Sequence, residues 1–308
     1  MTNSTTSVQR DVAVVGLGQM GRGIARNLDR AGLLAVAWDL SGEALQAAVL
    51  SQAVALKSPD AFGAARAVLF IVPSSTEIRA VLCEQGGLLS RPHQHQVLID
   101  LTTSHPTATR ELAALAAATG REYVDCGMTG GAKAADAGRL TLMVGGRAAV
   151  VDACRPILAA IASNVIRVGE SGAGHAMKLI HNMICHTIFL ATGEGCRLAE
   201  RLGIPLETAI AVINSGNARS FVSERRFPDH IMTRTFDGRS RTANLAKDLG
   251  MAAELARQAG QPCAYSMLAA DILERAIQRG LGEQDFTTLY RHLDELLSTN
   301  GPEKRLRS

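Results

Sequence analysis

The feature that most constrains this chain is the hexapeptide Gly16-Leu17-Gly18-Gln19-Met20-Gly21, which ends an apolar run begun at Val12 and opens a segment of helical spacing. Each glycine has its own physical reason. The first makes a tight turn, the second lets the backbone approach a pyrophosphate, and the third allows a helix to lie close against a strand. A helix that begins there offers unpaired N–H groups and the positive end of its dipole to phosphates. The pattern is weak alone and gains meaning from following the first strand of an alternating series. It therefore places Gly16, Gly18, Gln19, Met20 and Gly21 against a dinucleotide.

The alternating series is legible through the first half of the chain. Short apolar runs fall at residues 12–16, 34–39, 68–72, 97–100, 122–125, 140–144 and 165–168, with Ala- and Leu-rich helical segments between several of them, such as 106–118. Strand-helix-strand alternation predicts parallel pairing, with helices covering both faces, and the near-continuous apolar strands fit burial on both sides. Asp39 ends the second run, at the distance where an acid holds the adenosine ribose diol. A carboxylate there repels the 2′-phosphate of NADP, and no arginine follows in Leu40-Ser41-Gly42-Glu43. NAD is the expected cofactor. The competing reading of Asp39 is a cap for the next helix.

After Gly174 the strand pattern stops. Residues 173–201, 206–214, 242–259, 262–279 and 286–297 read as helices, with Gly-Ile-Pro at 203–205 and Gly-Gln-Pro at 260–262 where stops and restarts belong. The expected fold is α/β: a Rossmann-type dinucleotide-binding domain over 1–170, then an all-α domain over 171–308 that opens with a long interdomain helix. Residues 1–9 read as a frayed start rather than a signal peptide, and the stretch from Ser298 as a mobile tail.

Composition narrows the function. A net charge of +3 over 308 residues and 4% aromatics argue against a nucleic-acid surface or an anionic membrane partner. No apolar stretch has the length of a membrane span. The six cysteines show no CxxC pair and no metal-ligand spacing, so a reduced, cytoplasmic setting without a metal centre is expected.

The most informative segment of the second half is Gly172-Ala173-Gly174-His175-Ala176-Met177-Lys178-Leu179-Ile180-His181-Asn182. Lys178 and Asn182 stand one turn apart on one helix face. A lysine whose pKa is lowered by burial can pass a proton to or from an oxygen, and the amide can orient the lysine or hold that oxygen. The bland alternative is a surface lysine on a polar face, which Leu179, Ile180, Met183 and Ile184 make less comfortable.

Here the chain resembles the β-hydroxyacid dehydrogenase family, from Gly16 to about Asp285, on four motifs in order. Gly16–Gly21 matches GLGxMG, and Asp125-Cys126-Gly127-Met128-Thr129-Gly130-Gly131 is similar to DxPxSGG. The segment 172–182 matches GxGxxxKxxxN, and Lys247-Asp248-Leu249 resembles KDL. The resemblance implies that Lys178 is catalytic, that Thr129, Gly130, Gly131 and Asn182 bind a small hydroxy acid, and that Lys247 reaches the nicotinamide end. It further implies that Thr103, in Asp100-Leu101-Thr102-Thr103, and Pro73 line the cofactor. Thr129 with two glycines suits a carboxylate on chemical grounds too, offering a hydroxyl and accessible N–H groups.

Gly127 departs from the family's proline and is expected to loosen the loop before Thr129. Threonine in the serine place keeps the donor and adds a methyl. His181-Asn182 also resembles the Lys-x-x-His-Asn run of 6-phosphogluconate dehydrogenases, yet Cys185 stands where those carry a glutamate, which argues against oxidative decarboxylation. Arg219 or Arg225 could grip a second anionic group, although exposed helix charges are the plainer reading. Two alternatives are an imine reductase on the same scaffold, which does not use the lysine, and a non-catalytic dinucleotide-binding scaffold. The apolar helices of the second half predict a homodimer or homotetramer.

Overall fold

The computed structural model describes residues 10–52, 54–84, 86–90, 93 and 95–298, the side chains at 60 and 61 excepted. The segments read as a frayed start and as a tail beyond Ser298 lie outside the described residues. The chain divides between Lys178 and Leu179 into two compact units.

The first unit is built on an eight-stranded sheet of order β3-β2-β1-β4-β5-β6-β7-β8. The strands are β1 (Val12–Val15), β2 (Leu34–Trp38), β3 (Ala55–Leu56), β4 (Ala67–Phe70), β5 (Val97–Asp100), β6 (Glu122–Thr129), β7 (Leu140–Gly145) and β8 (Ala162–Gly169). The helices of this unit are α1 (Gln19–Arg30), α2 (Gly42–Ala47), α3 (Ser75–Cys83), α4 (Pro106–Ala117), α5 (Gly131–Asp136) and α6 (Ala148–Ala159). The order 3-2-1-4-5-6 is that of the dinucleotide-binding doubly wound fold, in which ligands bind where the order reverses, here between β1 and β4. All four residues of β1, of β4 and of β5 are buried, as continuous apolar strands covered on both faces require. Two apolar clusters form the covers. Ile24, Leu28 and Ile157 belong to one, and Phe62, Ile78, Leu82 and Leu112 to the other.

Two features differ from the sequence expectation. β3 is only two residues long, too short to register as an apolar run. β7 pairs antiparallel to β6, whereas parallel pairing was expected throughout. Residues 130–139 number only ten, and a parallel crossover needs about a dozen or more. The chain can only double back.

The second unit is helical. It contains most of α7 (Ala173–Arg201), then α8 (Leu206–Ser215), a π-helix over Val222–Met232, α9 (Thr242–Gln258), α10 (Ala264–Gln278), a 3-10 turn over Phe286–Thr288, and α11 (Leu289–Leu297). Its core includes an aromatic knot. Phe286 meets Phe189 edge-on at 5.1 Å, and Tyr290 meets Phe227 edge-on at 5.4 Å, geometry that contributes about 0.5–1.5 kcal/mol per pair beyond burial. The π-helix was not foreseen; it includes Arg225 but not Arg219, and Pro228 lies inside it. No helix among the described residues is long and apolar enough to cross a membrane.

Candidate active site

Register places the site. Trp38, Val15, Phe70, Asp100 and Asp125 form one row across β2, β1, β4, β5 and β6. Those strands are parallel, so the loops that follow them leave from one edge of the sheet. Asp39, Gly16–Gly21, Pro73, Thr103 and Thr129–Gly131 therefore gather along a single rim, although they span more than a hundred residues of sequence.

The glycine loop fits a dinucleotide. Gly16 has φ +95°, and a Cβ there would lie 2.2 Å from the Ile71 carbonyl oxygen; one on Gly21 would lie 2.0 Å from the Gly16 oxygen. Both are glycine because backbone fills the space. Gly18 is different: nothing lies within 4 Å of a Cβ built on it. It is the residue over which a ligand can come close. α1 carries no side-chain cap and no acid in its first turn, so its amide end is left for an anion. Asp39 accepts from the Leu17 N–H at 2.6 Å and from the Ser41 N–H at 2.8 Å. The carboxylate thus braces the glycine loop. The cap of α2 is Ser41, whose hydroxyl accepts from the Ala44 N–H. Two of the roughly four lone-pair positions of Asp39 are taken. Thr103 is half-buried and Pro73 exposed on their loops.

The N-terminus of α7 is held by a residue the sequence reading did not single out for a role. Asp125, fully buried in β6, accepts from the Gly172 N–H at 2.7 Å and from the His175 N–H at 2.9 Å. A carboxylate satisfying two first-turn amides opposes the helix dipole from the favourable side. The leading Asp of the DxPxSGG-like motif was visible; its partners fifty residues on were not. Asp100, one strand over, accepts from the Thr102 N–H and the Tyr123 hydroxyl, both at 2.8 Å. Burial and the Asp100 charge hold the Tyr123 phenol well above its ordinary pKa, so it serves as a donor.

Gly127 corrects an expectation. It is not in a loosened loop but inside β6, buried and paired with Met143. A Cβ on it would lie 2.5 Å from Lys178 Cβ and 2.8 Å from the Gly174 carbonyl oxygen. Glycine here lets α7 press Lys178 onto the strand. Side chains two apart on a strand share a face, so half-buried Thr129 projects from the face that Lys178 crosses.

In the second unit, Asn182 is buried and its Nδ2 donates to Asp248 Oδ2 at 2.6 Å. Its oxygen lies 3.1 Å from His181 Nδ1. Asp248 is also 3.9 Å from Lys247 Nζ. Within the KDL-like motif, the aspartate rather than the lysine is the residue that fixes the Asn182 amide. Arg219 and Arg225 are exposed and lie near Glu224 at 3.6 Å and Asp229 at 2.9 Å.

Comparison with known proteins follows the same division. Residues 11–169 match the model described as the NAD binding domain of 6-phosphogluconate dehydrogenase, and 172–293 that described as NAD-binding of NADP-dependent 3-hydroxyisobutyrate dehydrogenase. The chain is 30% identical to 2-(hydroxymethyl)glutarate dehydrogenase of Eubacterium barkeri, covering 92% of this chain and 95% of that one. The structure of 3-hydroxyisobutyrate dehydrogenase from Mycobacterium tuberculosis with L-serine is similar at a TM-score of 0.80 and 28% identity, covering 92% and 98% of the two chains. An imine reductase from Pseudomonas sp., at 20% identity and a TM-score of 0.60 over 91% and 98%, shares the fold alone. Sheet order and relatives together define an NAD(P)-dependent dehydrogenase acting on hydroxyl groups. The chain belongs to the β-hydroxyacid dehydrogenase family.

Proposed function

We propose that the protein interconverts a small 3-hydroxy acid, of the 3-hydroxyisobutyrate kind, with its aldehyde acid, using NAD in preference to NADP and Lys178 as the proton donor and acceptor. The observation that carries this reading is the close approach of Lys178 to β6 at Gly127, two residues before Thr129. In it, the Thr129 hydroxyl and the N–H groups of Gly130 and Gly131 bind the substrate carboxylate. Asn182, held by Asp248, binds the hydroxyl oxygen. When bound, a nicotinamide would supply the redox chemistry, as acceptor of hydride from the hydroxyl carbon and donor of it in the reverse direction. Neutral Lys178 accepts the hydroxyl proton as the C=O bond forms, and the ammonium returns it in the reductive direction; substrate and oxidised cofactor thus become aldehyde, reduced cofactor and one proton.

Gly16, Gly18, Gln19, Met20 and Gly21 take the pyrophosphate, Asp39 the adenosine ribose, and Pro73, Thr103 and Lys247 flank the nicotinamide end. The preference for NAD rests on Asp39, since a carboxylate repels a 2′-phosphate. We also place the protein in the cytoplasm as a homodimer or homotetramer formed through its helices. Supporting the latter, Leu198, Leu202, Val212, Tyr265 and Leu268 are exposed, each by more than half. The imine-reductase reading is weakened by an intact Lys178 and by a likeness that extends to the fold alone.

The test is an oxidation screen of short 3-hydroxy acids with NAD and with NADP, followed by absorbance of the reduced cofactor. Turnover with NAD on members of this class is expected. Activity confined to imines, or none with any hydroxy acid, overturns the proposal, and a clear preference for NADP overturns the role of Asp39.

A further inference from the structure

Arg226 stands apart from the arginines the sequence brought forward. It sits in the π-helix, with its guanidinium carbon 5.4 Å from the ring centres of both Phe221 and Phe286. A guanidinium has five N–H donors. Among the described residues, the one acceptor Arg226 finds is the Gly238 carbonyl, at 3.3 Å. No carboxylate lies within ion-pair distance of it among those residues. The acids that face it are engaged elsewhere. Asp285 accepts from the N–H and hydroxyl of Thr287, and Asp229 pairs with Arg225. Burial holds the Arg226 guanidinium below the ordinary arginine value, opposed by the charges of Cys185, Asp285 and Asp229.

The setting is built for this side chain. A Cβ on Gly238 would lie 2.7 Å from the Phe286 ring and 2.9 Å from Thr287 Cγ2, so glycine there lets the carbonyl and the ring reach Arg226 together. π-Helical turns are uncommon and frequent at functional sites. Phe286, which Arg226 overlies, belongs to the apolar cluster against which Cys185 packs, and Cys185 lies three residues beyond Asn182 on α7. That is about 4.5 Å along the helix axis and on the same face. A half-buried guanidinium without an anionic partner gives up part of its hydration for little return, whereas a bidentate carboxylate would satisfy the fork.

We infer that Arg226 binds a second carboxylate of the substrate, so that the preferred 3-hydroxy acids are dicarboxylic. This deepens the proposed function and rests on the reading of Asn182 as a substrate ligand. The test compares 3-hydroxyisobutyrate with 2-(hydroxymethyl)glutarate, which extends the methyl branch by a CH2–carboxylate, in wild type, Arg226→Met and Arg226→Lys. Wild type is expected to favour the dicarboxylate. In Arg226→Met the ratio of the two kcat/KM values should fall roughly 10- to 100-fold, mainly through KM, as loss of a charge-assisted hydrogen-bond pair implies. Arg226→Lys should restore part of the ratio. Glutarate and butyrate as competitors of wild type give a reading independent of variant folding, with glutarate expected to bind more tightly.

No preference for the dicarboxylate in wild type, glutarate no tighter than butyrate, or an equal loss on both substrates in a folded Arg226→Met overturns the inference alone. A wild type inert toward both acids overturns the proposed function, and this inference with it.

Discussion

Lys178 depends on residues that never touch a substrate. Asp125 ties the first turn of α7 to β6, and Gly127 clears the room for the lysine stem. Replacing Asp125 with alanine leaves two buried amides without an acceptor. It should cost about 2–4 kcal/mol, read as a lower midpoint in urea with unchanged slope. Gly127→Ala tests positioning more gently. A methyl 2.5 Å from Lys178 Cβ must push α7 away, so kcat should fall at least about tenfold with dinucleotide affinity retained, since shifts near 1 Å can cost more than that. Unaltered kcat would separate Gly127 from the proton path. The cysteines make a contrasting set. Burial pushes Cys126 well above its ordinary pKa, and Cys154 and Cys196 up to about 11. A raised thiol pKa keeps the thiol protonated until the pH nears that value, and only the thiolate is nucleophilic. At pH 8, iodoacetamide followed by peptide mass spectrometry should therefore label exposed Cys83 well before those three.

At the scale of elements, legibility followed the period of the pattern. β1, β4 and β5 are continuous apolar runs ended by turn residues, and α7 was readable to its last residue because Gly203 and Pro205 mark the stop and restart that follow it. The antiparallel β6–β7 pair was misread because apolarity does not encode strand direction. The length of 130–139 does, and it was there to be counted. The π-helix was beyond reach, since an i+5 ladder leaves no distinct hydrophobic period. Arg219 and Arg225 have their charges answered by Glu224 and Asp229, and sequence alone does not show that Arg226 beside them has no such carboxylate among the described residues. Likewise Asp125 and Asp248 were quoted inside motifs, but their partners lie 47 and 66 residues away, and sequence spacing cannot show a contact of that range. The glycine loop was the most legible element of all. Its first glycine carries a prediction: Gly16→Ala forces a methyl to within 2.2 Å of the Ile71 oxygen at φ +95°. Strain of about 1–3 kcal/mol and loss of measurable NADH binding by fluorescence titration are expected.

At the scale of the whole molecule, a sheet that gathers five loops on one rim is joined through α7 to a helical unit that fixes Asn182 with Asp248. In solution the assembly is expected to be dimeric or tetrameric, and a monomer by light scattering at micromolar concentration would contradict that expectation. The proposed chemistry turns on one amine, that of Lys178. The most direct measurement pairs steady-state oxidation of a 3-hydroxy acid with NADH titration, for wild type and Lys178→Ala side by side. Dinucleotide affinity close to wild type with kcat lower by at least about 100-fold is the predicted result. A variant that binds NADH and turns over at the wild-type rate would contradict it.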